Sequence, residues 1–256
     1  MNIDSLKEIF IQNKPFTTVD AANILQVSKE KASKMLYRYE HQGHLLKLKK
    51  GVYLPVSHKG LSPTETFSNP WVVAPIMYPN SYIGGWSAAS HYGLTEQLFQ
   101  KTCLIIPKQV HNKITKIGRF EYRLFSDFMK DQNIGKTTLW IDQVKVQISD
   151  VHRTIIDMIE NPKCGAGIQH SIDCIKVYFQ ESYNEAIFIS YAQKVKNGVF
   201  FKRLGYITEM LYGIDHPLCK LAKENITSGD SSIDSSIKCN KLITRWNLYV
   251  SSGIVI

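Results

Sequence analysis

The sequence predicts an α+β protein, an N-terminal winged helix–turn–helix followed by a larger mixed α/β domain. Three observations predict it. Two helix-period segments meet at a tight Val27-Ser28 break, two short strand-like runs meet around Lys49 to Gly51, and strand and helix patterns alternate from Trp71 onward.

The chain of 256 residues suits one large domain or two modest ones. Its 44% hydrophobic and 21% charged content is that of a soluble globular protein rather than a disordered one. No apolar run approaches the ~18–20 residues of a membrane span. Met1-Asn2-Ile3-Asp4 opens without a basic stretch leading into an apolar one, so the expected setting is the cytoplasm, with no membrane partner. Five cysteines, Cys103, Cys164, Cys174, Cys219 and Cys239, are scattered without a CxxC pair. Buried thiols fit that scatter better than a disulfide frame or a zinc knuckle.

Ile3 to Gln12 reads as a first helix, capped by Asp4, striped by Leu6, Ile9 and Phe10, and ended by Asn13-Lys14-Pro15. Val19 to Gln26 reads as a second, with Ala21, Ala22 and Leu25 as its packing face. Ser28 is a good N-cap for a third, from Lys29 to about His41, which Gly43 stops. On it, Ala32, Met35, Leu36 and Tyr39 span an arc of about 100°, and Lys31, Lys34 and Arg38 an adjacent arc about 60° wide. One face packs and its neighbour is cationic, as expected for a helix entering a major groove. Leu45 to Leu54 then reads as a two-stranded wing.

The net charge of +9 arises from 31 Lys and Arg against 22 Asp and Glu. Between Ser28 and Lys50, seven Lys and Arg face two acidic residues, so five of the nine net charges fall on the third helix and the wing. Double-stranded DNA is therefore the expected partner. Ser28, Lys29, Ser33, Lys34 and Arg38 are expected to face the groove, with Lys31 at its edge. Ser33 and Tyr37 are placed within reach of base edges or sugar, and Lys47, Lys49 and Lys50 along backbone phosphates. A small helical domain with a solvated lysine face is the alternative.

The head is expected to occupy residues 1–58, a Pro- and Ser-containing linker residues 59–70, and the larger domain residues 71–256. Within the last, Ser81 to Leu94 reads as a helix rich in small residues, with Gly93 as its stop. Strands are expected at Thr102–Ile106, Phe120–Phe125, Thr138–Ile141 and Val144–Ile148, the last two joined at Asp142-Gln143 as a hairpin. Ser149-Asp150 then caps a helix from Val151 to Ile159 that Asn161-Pro162 stops. Ile168 to Leu221 reads as mostly helical, interrupted at Asn197-Gly198 and Gly213. Ser228 to Ser236 is expected to be a mobile polar loop, and Trp246 to Val250 a final strand returning to the sheet.

Together these segments resemble the AbiEi antitoxin family, the transcriptional-regulator half of the AbiE abortive-infection, type IV toxin–antitoxin systems. The resemblance runs over nearly the whole chain. It is carried by Lys50-Gly51-Val52-Tyr53-Leu54-Pro55, by Ser81-Tyr82-Ile83-Gly84-Gly85-Trp86-Ser87-Ala88-Ala89 with Tyr92-Gly93-Leu94-Thr95-Glu96-Gln97, by Ile148-Ser149-Asp150-Val151-His152-Arg153-Thr154-Ile155-Ile156-Asp157, and by Arg245-Trp246-Asn247. The resemblance implies that the head binds inverted repeats in its own promoter and represses the operon. It also implies that the larger domain counteracts a nucleotidyltransferase toxin. No catalytic residue comes with it.

Other chemistry is weakly supported. Gly135-Lys136-Thr137-Thr138 lacks the upstream glycine of a phosphate-binding loop, since that position is Lys130, and reads as a turn before a strand. Gly165-Ala166-Gly167 meets His170 where a dinucleotide fingerprint needs glycine, and reads as a turn between helices. His41 and His44 are parted by the Gly43 break, which disfavours a metal pair. Ser90-His91 adjacency makes no triad, because neighbouring side chains on a helix diverge. No Asp or Glu has Lys two positions later, against a PD-(D/E)xK nuclease. Arg153 and Asp157 fit an internal i,i+4 ion pair, and Trp86 and Trp246 fit the core. No cofactor, metal or catalytic residue is assigned. A stand-alone regulator with a ligand-sensing or dimerising domain, and a nucleic-acid enzyme, remain as rival readings.

Overall fold

Thr17 and Ser28 each start a helix by the same device. In this computed structural model, which describes residues 15–55, 69–110, 113–117, 120–129, 131, 133–141 and 144–254, Thr17 Oγ1 accepts from the Asp20 backbone N–H. The Asp20 carboxylate returns the bond to the Thr17 N–H at 2.7 Å, closing a capping box. Helix α1, Thr18–Leu25, follows from strand β1, Phe16–Thr17, and ends where Gln26 turns left-handed at φ 50°. Ser28 Oγ accepts from Lys31 N–H and starts α2, Lys29–His41, with the bounds its sequence predicts. Gly43, at φ +78°, reverses the chain after it. The expected helix at residues 3–12 lies outside the described residues.

Strands β2, Leu45–Lys49, and β3, Val52–Pro55, form an antiparallel hairpin, and β1 adds to the other side of β3. The hairpin turn is tied to α1 because Thr18 N–H donates to Gly51 O at 2.9 Å. Ala21, Leu36, Leu45, Phe16 and Tyr53 form the small core between these elements. Val52 and Leu54 instead join a second buried cluster with Val72, Val73, Ala74 and Met77. Those four residues belong to α3, Pro70–Met77, which opens at Pro70, carries Pro75 inside it and has no counterpart in the sequence reading; linker residues 59–68 lie outside the described residues. Asn69 caps this helix, with Pro70 at a first-turn position where the missing N–H is harmless.

Next come β4, Tyr82–Ile83, α4, Gly85–His91, β5, Lys101–Ile106, β6, Lys113–Ile117, β7, Phe120–Ser126, β8, Lys136–Ile141, and β9, Val144–Ser149. They build a six-stranded sheet of order β6-β7-β5-β4-β9-β8, with β5/β7 and β4/β9 parallel and the other pairs antiparallel. Alternation along β5 sends Leu104 and Ile106 to the face shared with α3, and Cys103 and Ile105 to the opposite face. That opposite face is covered by α5, Val151–Glu160, α6, Ile168–Glu181, α7, Glu185–Ala192, α8, Gly198–Tyr212, and α9, Pro217–Asn225. Nine α-helices are present among the described residues.

Three expectations are corrected. Residues 81–94 are not one helix: Tyr82 and Ile83 form strand β4 inside the sheet, and the helix begins only at Gly85 (φ +49°), after extended Gly84 (φ −139°, ψ −169°). A Cβ at Gly85 would collide with the Cys164 carbonyl, so this close approach needs glycine.

Residues 228–236 are largely an exposed loop, as their polarity suggests, but one anchored to the fold at its middle. Ser231–Ser232 is strand β10, Ile233 and Asp234 are buried, and Lys202 Nζ donates to Gly229 O and Ser231 Oγ. Buried Asp234 accepts from the Ile168 N–H, while Ser228, Asp230, Ser232, Ser235 and Ser236 stay exposed.

The C-terminal segment does not return to the main sheet. Thr244–Trp246 is a 3₁₀ turn, Asn247 is left-handed at φ 48°, and β12, Leu248–Val250, pairs with β10 and β11, Lys241–Ile243, as a separate sheet. Strand β6 and a break at Ser182 to Asn184 are further features absent from the sequence reading.

Candidate nucleic-acid interface

Helix α2 separates its residues by burial. Ala32 and Leu36 have no exposed surface, while Lys29, Lys31, Ser33, Lys34 and Arg38 are exposed and Tyr37 is 54% exposed. Met35 and Tyr39, placed on the core arc by the sequence, are half-buried at its border. Among the described residues, no carboxylate lies within ion-pair distance of Lys29, Lys31, Lys34 or Arg38. Their charges therefore face solvent without an ion pair among the described residues, with Glu30 the neighbouring anion to Lys29.

Tyr37 does not stand alone. Its ring lies 4.0 Å, centroid to centroid, from that of His41, and His41 Nδ1 sits 3.0 Å from Tyr37 O. This pair one turn apart is visible in the i,i+4 spacing, but the sequence reading treated the two residues separately. Ser28 is exposed, and its hydroxyl is occupied in capping α2. Glu30 follows it in the first turn. Its own backbone N–H and the Ser28 hydroxyl hold its carboxyl below the usual range, keeping an anion at the helix start where the dipole favours one.

The hairpin residues divide differently. Lys50 is exposed at the turn. Lys47 Nζ lies 3.8 Å from Glu40 Oε2, an oxygen with no hydrogen-bond partner of its own. Lys47 also faces Tyr53 across the strands. Burial raises the Tyr53 phenol, Lys47 lowers it and Glu40 raises it. Lys47 thus spends part of its charge inside the head, which the sequence reading missed because the Glu40 contact crosses from helix to strand. The side chain of Lys49 lies outside the described residues.

The larger domain holds its own charged cluster, centred on Arg153 of α5. Its guanidinium donates to Asp157 Oδ1 from Nε, to Asp127 Oδ1 and Tyr82 Oη from Nη2, and to Ile134 O from Nη1. Tyr82 Oη donates to Asp157 Oδ2 at 3.0 Å, and Lys136 Nζ donates to Asp127 Oδ2 at 3.3 Å. Two cations balance two carboxylates with almost no solvent access. Burial pushes the Asp157 carboxyl up, to about 6, against the pull of Arg153. Burial opposes the Arg153 cation, yet Asp157, Tyr82 and Asp127 together raise its pKa. The cluster ties β4, the segment after β7 and α5 together. Trp86 and Trp246 are buried, as is every cysteine except half-buried Cys239.

This architecture is mixed α+β, with a six-stranded sheet between a helical layer and the α3–hairpin cluster. The crystal structure of the RV2827C protein from Mycobacterium tuberculosis is similar to it, with a TM-score of 0.64 over 96% of this chain and 91% of that one, at 9% sequence identity. At that identity the likeness is one of fold. No family model and no curated protein matches the chain. No helix among the described residues is long and apolar enough to cross a membrane.

Proposed function

We propose that the protein is a DNA-binding transcriptional autorepressor and antitoxin of the AbiEi type. Its head acts as a winged helix–turn–helix on inverted operator repeats, and its larger domain counteracts a nucleotidyltransferase toxin without enzymatic activity of its own. One observation carries the DNA half: α2 buries Ala32 and Leu36 completely while leaving Lys34, Arg38, Ser33 and Tyr37 exposed beside a hairpin that turns at Lys50. Such a helix can enter a major groove with its cations toward phosphates and Ser33 or Tyr37 toward bases. The antitoxin half rests on the family resemblance.

Two experiments test these halves separately. A duplex covering the gene's own upstream repeats should be retained by the full-length protein in a mobility-shift assay, at lower concentration than a scrambled duplex. Full-length protein carrying Lys34→Ala and Arg38→Ala should lose that retention yet still protect cells expressing the adjacent toxin gene. Equal retention of both duplexes sinks the operator reading, and no protection by the wild type sinks the antitoxin reading. A second reading, a stand-alone regulator that senses a ligand, is favoured by an open cleft beside Trp86 and Arg123.

A further inference from the structure

A cleft of about 470 Å³ opens where β7 meets the segment before β5 and the turn before α6, lined by residues including Trp86, Leu98, Phe99, Lys101, Arg123 and Lys163. One wall is aromatic and fixed. Phe99 stacks on Trp86 with centroids 5.6 Å apart and planes 28° off parallel. The buried Trp86 indole donates to Lys101 O at 2.7 Å, and Phe125 meets it edge-on at 5.8 Å. Phe99 is half-buried, so part of its ring is open to a visitor.

The charge in the cleft has one sign. Among the described residues, three cations line it and no carboxylate does. Lys101 is paired with Glu121 at 3.4 Å, outside the lining. Arg123 has no such partner among the described residues. Its guanidinium lies 6.0 Å from the Trp86 centroid and 5.5 Å from that of Phe125, and its buried Nε has no hydrogen-bond acceptor. Among the described residues, neither Arg123 nor Lys163 has a carboxylate within ion-pair distance. A buried guanidinium Nε–H without an acceptor is unfavourable unless something else supplies one.

We propose that this cleft binds a small ligand joining a planar aromatic ring to a phosphate, of the size and chemistry of a nucleoside monophosphate. Arg123 and Lys163 take the phosphate, Arg123 through the planar fork that matches two oxygens. The open part of Phe99, held in place by buried Trp86, takes the ring. An oxyanion alone would leave the aromatic wall and most of the volume unused, while an apolar ligand would bury two unpaired cations. The volume lies in the ~300–1,000 Å³ range of small-molecule sites. Leu98, 92% exposed at the rim, gains a surface to cover when a ring is bound.

The test is calorimetric titration of the full-length protein with AMP, GMP, CMP and UMP, and with inorganic phosphate and adenosine as the two halves. At least one mononucleotide should bind saturably, about tenfold or more tighter than either half. Arg123→Gln and Lys163→Gln should each weaken it by about tenfold or more. Lys163 is a half-buried residue of a 3₁₀ turn, so its variant reads the site even where Arg123→Gln disturbs packing. Absence of mononucleotide binding at millimolar concentration overturns the proposal, as does unchanged affinity in Lys163→Gln. Phosphate binding as tightly as the mononucleotide, or a single-stranded oligonucleotide binding tighter still at this cleft, also overturns it.

Discussion

The Arg153 guanidinium donates from Nε to Asp157 Oδ1 at 2.6 Å, one turn along the same helix, with side chains only 0% and 1% exposed. On a helix surface such an i,i+4 pair contributes a few tenths of a kcal/mol. Here the second guanidinium edge also holds Asp127 and Tyr82, so neither charge can turn to water when its partner goes.

Asp157→Ala should therefore destabilise the protein by about 3–5 kcal/mol, by stranding Arg153 beside a single carboxylate. Urea unfolding measures this. A loss below about 1 kcal/mol, the scale of exposed pairs, would mean that solvent reaches the cluster.

Glu160 should give stability a pH dependence. Burial lifts its carboxyl from 4.5 to about 7, opposed by the Asn197 hydrogen bond and Arg203, and Asp157 adds to the rise. Its Oε2 has no hydrogen-bond partner. An acid with a raised folded pKa holds a proton that the unfolded chain has released, so its contribution falls as pH rises from 4.5 through about 7. Glu160→Gln should be more stable than wild type by up to ~3 kcal/mol near pH 8, and little different near pH 4.5. Thermal melts at the two pH values test this, and an equal effect at both would contradict it.

Much of the architecture is legible where local signals suffice. Ser28 and Gly43 delimit α2, and the alternation of residues 136–149 with a two-residue connection marks β8 and β9. Long-range packing decided the rest. Tyr82-Ile83 is too short to show a strand period beside a run of glycines and alanines, and it is a strand because β5 and β9 flank it. Within the exposed segment 228–236, the buried pair Ile233-Asp234 is not legible, because its partners, Lys202 beside it and the Ile168 N–H, come from distant helices.

Gly205 shows the same limit. Alanine is about 1 kcal/mol better than glycine inside a helix, which alone makes Gly205→Ala stabilising. A Cβ there would run into the buried Trp246 ring from the C-terminal segment. Gly205→Ala should instead destabilise by about 1–3 kcal/mol, the scale of core overpacking. A raised melting temperature would show that Trp246 can move aside.

In the candidate interface, the exposed cations of α2 are legible from helical spacing, whereas the Glu40–Lys47 pair is not, because it joins helix to hairpin. That pair predicts unequal lysines. Lys47→Ala should weaken operator binding less than Lys34→Ala, and Glu40→Gln should strengthen it by roughly two- to fivefold by releasing Lys47 and removing an anion. Fluorescence anisotropy on one operator duplex gives all three affinities. Weaker binding by Glu40→Gln would contradict the assignment.

The decisive titration compares wild type with the Lys34→Ala, Arg38→Ala double variant across a range of salt concentrations on the upstream duplex. If Lys34 and Arg38 contact the duplex as proposed, their loss should weaken binding by roughly tenfold or more and reduce the slope of log affinity against log salt by about two. An unchanged affinity and slope would contradict a groove-binding role for Lys29–His41.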